Sequence, residues 1–276
     1  MPELPEVETT RRALADGLEG AKVRSVVVKR DRMVRRQARP GDFAQRLVGR
    51  MVESVGRTGK FLMTQLSEDL TWVTHLGMSG RLRLVPSPEP QEPHTNIVVT
   101  MGSGIDLRFI DPRTFGFMAV FTPQELENSS LARLGPDALD HLPTARSLQQ
   151  RLANRTAPIK ALLLDQNLVA GLGNIYADEV LHRAQVRPDR QGGSLDAGEV
   201  KALRSAVRPV LNAGLRWGGT SLDDLAYLLP DGSAGQYLDR LKVYGREDEP
   251  CRRCGTPIRR AMLRGRSTHW CPSCQK

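Results

Sequence analysis

The chain has 276 residues, 39% apolar and 26% charged, the make-up of a globular protein long enough for more than one core. Its 40 Lys and Arg against 31 Asp and Glu leave a net charge of +9, which points to a polyanionic partner. No apolar run reaches membrane-spanning length, the acidic N-terminus is the opposite of a secretion signal, and 5% aromatic residues are too few for a broad base-stacking platform. Phosphate neutralisation on a duplex fits better, in a chain expected to be cytoplasmic.

Along residues 6–18, Val7, Leu14 and Leu18 repeat at helical spacing, and Gly17 and Gly20 close the pattern. From Lys22 the period changes. Short runs at 23, 26–28, 51–55, 61–66, 72–76, 82–85, 97–101, 105–110 and 117–121 are rich in β-branched and aromatic residues and separated by Gly, Pro and Asp. They predict a β-sandwich or barrel. A short helix is expected over 42–48, and the proline-rich stretch 86–93 reads as a stiff loop.

After about Thr122 the spacing turns helical: Leu126, Leu131, Leu148 and Leu152, then 159–164, 175–184 and 200–215. Pro209 lies inside the last pattern and is expected to kink or split that helix. The helical block runs to about 229, before the glycine-rich 230–236. The expected architecture is a multidomain α+β chain. A β-sandwich with an N-terminal helix fills 1–122, a helical domain fills 123–229, and a loop with a finger fills 230–276, the finger starting near 242.

All four cysteines fall near the C-terminus, as Cys251-x2-Cys254 and Cys271-x2-Cys274 with sixteen residues between the pairs. Each pair sets two thiolates on one tight knuckle. Two knuckles on a β-hairpin close a tetrahedron that suits one structural Zn²⁺ and leaves no open position. A redox dithiol rarely comes as two matched pairs. His269 is a spare ligand the set does not need. Arg259, Arg260, Arg264 and Arg266 lie between the knuckles, placed either for phosphate contact or as a solvated loop.

Two further stretches have two readings each. Gly171-Leu-Gly-Asn174 sits between helical patterns. It is either an anion site, with Asn174 as N-cap and helix N–H groups pointing outward, or an ordinary turn between helices. Pro2-Glu3-Leu4-Pro5-Glu6 reads as a helix start with acids at the positive end. It also reads as a catalytic pair. Removal of Met1 turns the Pro2 nitrogen into a free secondary amine, a nucleophile for an anomeric carbon, with the acid Glu3 next to it.

These motifs together resemble bacterial formamidopyrimidine-DNA glycosylase. The resemblance is carried by Pro2-Glu3-Leu4-Pro5-Glu6-Val7-Glu8, His75-Leu-Gly-Met78-Ser-Gly80, Asp111-Pro-Arg113-Thr-Phe115-Gly116, Gly171-Leu-Gly-Asn174-Ile-Tyr-Ala177 and Val243-Tyr-Gly-Arg246 before the finger. It spans the whole chain in order. It implies a monomeric enzyme that excises 8-oxoguanine and ring-opened purines from double-stranded DNA and then cuts the strand as an AP lyase.

The resemblance further implies a helix–two-turn–helix in the helical domain and a role for each site residue. Pro2 would be the nucleophile, Glu3 the acid, and Lys60 and Arg266 the helpers of elimination at the lesion phosphates. His94, Arg113, Arg155, Lys160 and Asn174 would contact DNA. Met78, Arg113 and Phe115 would fill the gap left by an extruded base, and residues 231–237 would close over it. Thr114 departs from the second arginine many relatives carry, and Pro209 is unexpected in its helix. Two alternatives stand beside this reading. One is an oxidised-pyrimidine glycosylase of the same superfamily. The other is a non-enzymatic zinc-finger DNA binder, which leaves Pro2-Glu3 without a purpose.

Overall fold

The computed structural model describes residues 2–221 and 227–276; Met1 and 222–226, near the expected end of the helical block, lie outside the described residues. The chain forms two compact units, Met1–Ala132 with Trp217–Leu238, and Arg133–Arg216 with Asp239–Lys276. Residues 217–238, which the pattern divided between the helical block and the following loop, therefore group with the β-rich unit.

In the first unit, α1 (Leu4–Leu18) starts two residues earlier than its apolar spacing suggests. Pro5 is tolerated because the first turn needs no N–H from it. The Glu6 carboxylate accepts the Glu3 N–H at 2.8 Å and so satisfies a backbone donor at the helix start. β1 (Val23–Val28) and α2 (Pro40–Leu47) follow. Next come β2 (Val52–Thr58), β3 (Phe61–Leu66) and β4 (Leu70–His75). The unit continues with β5 (Arg81–Pro86), β6 (Thr95–Met101), β7 (Ile105–Ile110), β8 (Phe117–Phe121) and α3 (Pro123–Glu127).

The strands pair antiparallel into two four-stranded sheets, ordered β1-β6-β7-β5 and β2-β3-β4-β8. Alternation in β3 turns Leu62 and Leu66 inward. They join Val99 and Phe109 of the other sheet, Trp72 and Val120 of their own, Leu14 and Leu18 of α1, and Phe43 of α2 in one buried cluster. Each such side chain contributes roughly 1.5–3 kcal/mol by leaving water. This is the expected sandwich. Three connections at strand ends carry the candidate residues: the β2–β3 turn with Lys60, the β4–β5 link with Met78, and the β7–β8 link with Arg113 and Phe115.

The second unit holds α4 (Ala145–Leu152), α5 (Ile159–Leu163), α6 (Asn174–Ala184) and α7 (Ala197–Arg216). The hairpin β9 (Arg259–Leu263) and β10 (Arg266–Trp270) completes it. Val200, Leu203, Val207 and Leu211 form the buried face of α7. Of the two outcomes expected of Pro209, a kink or a split, the split does not occur: the helix runs on from Ala197 to Arg216. Pro209 and Ser205 are both exposed residues, so water is at hand for the Ser205 carbonyl that loses its partner. Among the described residues, no helix is long and apolar enough to cross a membrane.

Candidate active site and nucleic-acid-binding surfaces

Pro2 and Glu3 are buried at the N-terminal end of α1. Glu6 ties this end to the segment after α7. One of its carboxylate oxygens takes the Glu3 N–H, and the other takes the Thr220 N–H at 2.7 Å. The fit is close, since a Cβ on Gly219 would come within 2.8 Å of the Glu6 side chain. Tyr227 donates its hydroxyl to the Glu6 carbonyl at 3.3 Å. Ser221 donates to the Tyr227 carbonyl and accepts the Gly235 N–H at 2.8 Å, which anchors the expected closing loop next to α1.

One turn further along α1, Glu8 binds Arg11, Arg12 and the nearly buried Arg57. Arg57 in turn donates to the Gly59 carbonyl at 3.0 Å, immediately before Lys60. α1, whose N-terminal end Pro2 and Glu3 lead into, thus holds the turn that carries Lys60. Burial pushes the Glu8 carboxyl up, but hydrogen bonds from Arg11, Arg12 and Arg57 outweigh it and bring it down to about 2.

His75 ends β4, with its ring 4.8 Å from that of Phe61 and 5.7 Å from that of Phe117. Burial, and then the positive charges of Lys60, Arg35 and Arg36, push it down to about 4, so its imidazole is neutral at pH 7. A neutral ring can accept, and Nδ1 takes the Gly77 N–H at 3.1 Å. This sets the path of the chain into Met78, which is half-buried.

The links that carry Met78, His94, Arg113 and Phe115 converge on a fully buried carboxylate, Asp111. Its Oδ1 accepts from the Ser79 hydroxyl at 2.6 Å and the Arg113 N–H at 3.2 Å, and its Oδ2 accepts the Gly116 N–H at 2.8 Å. The Asp111 N–H donates to the His94 carbonyl at 3.1 Å. Arg113 and Phe115 are exposed, the guanidinium 5.2 Å from the ring centre. Arg32 and Arg35 hold the same link from outside by its carbonyls. The sequence reading missed Arg57, Asp111 and these two arginines. Asp111 was visible inside its motif, and the arginine-rich stretch 30–39 was a signal left unread.

In the second unit the helix N-cap is Gly173, not Asn174. Asn174 is the first helical residue, and its amide donates to the Ser267 hydroxyl at 3.2 Å. Arg155 is half-exposed and lies 3.6 Å from Asp165. Arg266 opens β10 and is exposed. Lys160 is placed differently from a phosphate ligand. Its side chain is 1% exposed and its ammonium sits 2.7 Å from Asp178, which is fully buried. It also donates to the Ser267 carbonyl at 2.6 Å and the Thr268 hydroxyl at 3.0 Å. A direct phosphate contact needs a solvent-facing cation, whereas Lys160 braces the hairpin on α6.

The four cysteine sulfurs lie within 4.8 Å of one another, with Cys251–Cys274 at 4.0 Å and Cys254–Cys271 at 3.5 Å. Tetrahedral Zn–S bonds of ~2.3 Å require sulfurs roughly 3.8 Å apart, so the set fits zinc. Knuckle amides support two of the sulfurs: the Arg253 N–H points at Cys251, and the Cys274 N–H at Cys271. His182 on α6 places Nε2 3.6 Å from Cys251 Sγ. His269 is no competing ligand here. It faces Asp178 through both its backbone N–H and Nδ1.

Comparison with known proteins gives a consistent result. Residues 1–118 match the formamidopyrimidine-DNA glycosylase N-terminal domain, 134–225 the H2TH domain of that enzyme, and 248–276 a zinc finger found in FPG and IleRS. A formamidopyrimidine-DNA glycosylase of Listeria monocytogenes serotype 4b is 41% identical over 277 residues, covering 100% of both chains. That of Bacillus subtilis is 39% identical, covering 100% of this chain and 99% of its own. A crystal structure of a Lactococcus lactis FPG mutant with DNA containing Fapy-dG superposes with TM-score 0.91 at 32% identity, covering 100% of both chains. The MutM (FPG) protein of Thermus thermophilus gives TM-score 0.89 at 41% identity, covering 99% of this chain and 98% of its own.

Proposed function

From its membership of the formamidopyrimidine-DNA glycosylase family, which the chain belongs to over its full length, we infer that it excises oxidised purines from duplex DNA and then cleaves the abasic strand. A Lactococcus relative has been seen with DNA containing an abasic site, the intermediate between those steps. The observation that carries the reading is the setting of Pro2 and Glu3. They stand together at the buried, positive N-terminal end of α1, the helix that also holds the Lys60 turn.

The chemistry needs Met1 removed. The Pro2 amine then attacks the deoxyribose C1′ while the bond from C1′ to the base breaks. The departing base takes up the proton that the amine nitrogen gives up, and Glu3 supplies the proton to O4′ as the sugar ring opens. The resulting iminium acidifies the C2′ proton. Loss of that proton expels the 3′ phosphate, and a second elimination expels the 5′ phosphate. Lys60 and Arg266 assist as cations near those phosphates. His94, Arg113, Arg155 and Asn174 bind the backbone, while Lys160 serves through the hairpin it braces. Met78, Arg113 and Phe115 fill the gap left by the extruded base. The four-cysteine finger holds one structural zinc and supplies no open position for chemistry. The β-sandwich, the helical domain and the finger are its three working parts, with 217–238 serving the β-rich unit, in a monomer acting in the bacterial cytoplasm.

Borohydride reduction in the presence of an 8-oxoguanine duplex tests the central step. A covalent protein–DNA adduct is expected, and its absence with protein lacking Met1 would overturn the imine. One relative, the wild-type Lactococcus FPG, has been crystallised with DNA containing an oxidised pyrimidine. Thymine glycol duplexes therefore belong in the same assay, with faster excision of 8-oxoguanine expected.

A further inference from the structure

We propose that Arg35, with Arg32 beside it, is a positioning residue that keeps the 113–116 link in its DNA-ready shape before DNA arrives. The proposal rests on the reading that Met78, Arg113 and Phe115 fill the void. Three consecutive carbonyls of this link are held from one side. Arg32 Nε donates to the Thr114 carbonyl at 3.2 Å. Arg35 donates through Nη2 to the Phe115 carbonyl at 2.9 Å and through Nη1 to the Gly116 carbonyl at 2.6 Å. On the other side, Asp111 takes the Arg113 and Gly116 N–H groups.

The link needs such holding because of Thr114. Its φ is +55°, in the left-handed region, which a β-branched residue rarely adopts. Such a conformation persists only when its surroundings over-determine it. Phe115 is 44% exposed, and an apolar ring in water gains by folding back onto the protein unless its backbone is fixed. Arg35 suits the task because a planar guanidinium reaches two carbonyls at once, whereas a lysine ammonium is a single point. The guanidinium also lies 5.3 Å from the Phe117 ring centre, which fixes the arginine itself.

Void filling matters only where a base has been extruded from a duplex. An abasic site in single-stranded DNA presents no such void. The test compares single-turnover excision of 8-oxoguanine from a duplex with cleavage of a single-stranded abasic site, using full-length, zinc-loaded protein. Arg35→Met is expected to slow duplex excision roughly tenfold, with the loss confined to that substrate. Adding Thr114→Gly should recover most of the loss, because glycine occupies the left-handed region without anchors. Equal loss on both substrates with a lowered melting temperature would overturn the proposal, since Arg35 would then only support the fold. Failure of Thr114→Gly to rescue would also overturn it. Phe115→Ala separates the premise from the proposal. If Phe115→Ala slows duplex excision and Arg35→Met does not, the brace alone is wrong. If Phe115→Ala has no effect, the void-filling premise is wrong, and the proposal goes with it.

Discussion

The Glu8 carboxylate takes the Arg57 Nε at 3.1 Å across the interface of α1 and β2, and the Arg57 side chain is only 1% exposed there. One ion pair therefore joins α1, which follows directly on Pro2 and Glu3, to the turn bearing Lys60. Because the folded Glu8 carboxyl is lowered from 4.5 to about 2, its contribution to stability is complete above about pH 4.5 and lost as pH falls toward 2. Thermal melts between pH 7 and pH 2.5 should show this acid loss, with Glu125, also near 2, adding to it. Glu8→Gln should be less stable at pH 7 and show a flatter acid limb. If the variant loses stability with acid as steeply as the parent, Glu8 is not a main source of that limb.

Gly77 sits against the 113–116 link. Its φ is +67°, and a Cβ there would lie 2.3 Å from the Gly116 nitrogen and 2.5 Å from the Phe115 carbonyl carbon. Neither neighbour is the flexible end of a side chain. Gly77→Ala must therefore move the Met78 link away from the Phe115 link. It should slow duplex excision more than cleavage of single-stranded abasic DNA and lower stability by about 1–3 kcal/mol. Unchanged duplex kinetics would mean that the two links act independently.

Lys160 and Asp178 give a different kind of prediction. Removing one member of a buried pair leaves an uncompensated charge, so Lys160→Met or Asp178→Asn should each cost about 3–5 kcal/mol. Replacing both, with Lys160→Met and Asp178→Leu, should recover much of that in a denaturant melt. The slope of log affinity against log salt should stay as in the parent wherever Lys160→Met remains folded. Arg155→Ala should reduce its magnitude by about 1 if Arg155 meets a phosphate. A shallower slope in Lys160→Met would return Lys160 to the DNA surface.

Local pattern made much of the fold legible. Short β-branched and aromatic runs marked the strands, and helical spacing marked the apolar face of α7. The cysteine spacing predicted a cluster that the fold closes. What stayed hidden depends on partners far apart in sequence. An arginine such as Arg35 reads as solvated charge until the Phe115 and Gly116 carbonyls, 80 and 81 positions on, are brought to it. Lys160 reads as a surface cation until Asp178 joins it in the interior. Pro209 reads as a helix breaker because sequence does not show that it and Ser205 lie on an exposed face. The motif positions were readable as candidates, but the groups that hold them were not.

The finger offers the last test. Four sulfurs at contact distances with no metal between them would repel as thiolates, so zinc is what makes their gathering favourable. The hairpin of β9 and β10 lies between the two cysteine pairs, and its strands and turn present Arg259, Arg260, Arg264 and Arg266 as exposed cations. The metal should thus control duplex affinity without touching DNA. The parent should bind with a log–log salt slope near roughly −5, as expected for ~5–6 phosphate contacts. Cys271→Ser should drop zinc from about one per chain toward zero in elemental analysis, since a structural site uses four protein ligands. Its duplex affinity should fall and its salt slope become shallower, because the hairpin cations no longer arrive together. A zinc-free variant with the parent's slope would show that the finger's arginines do not meet phosphates, and the source of the affinity would have to be sought elsewhere on the chain.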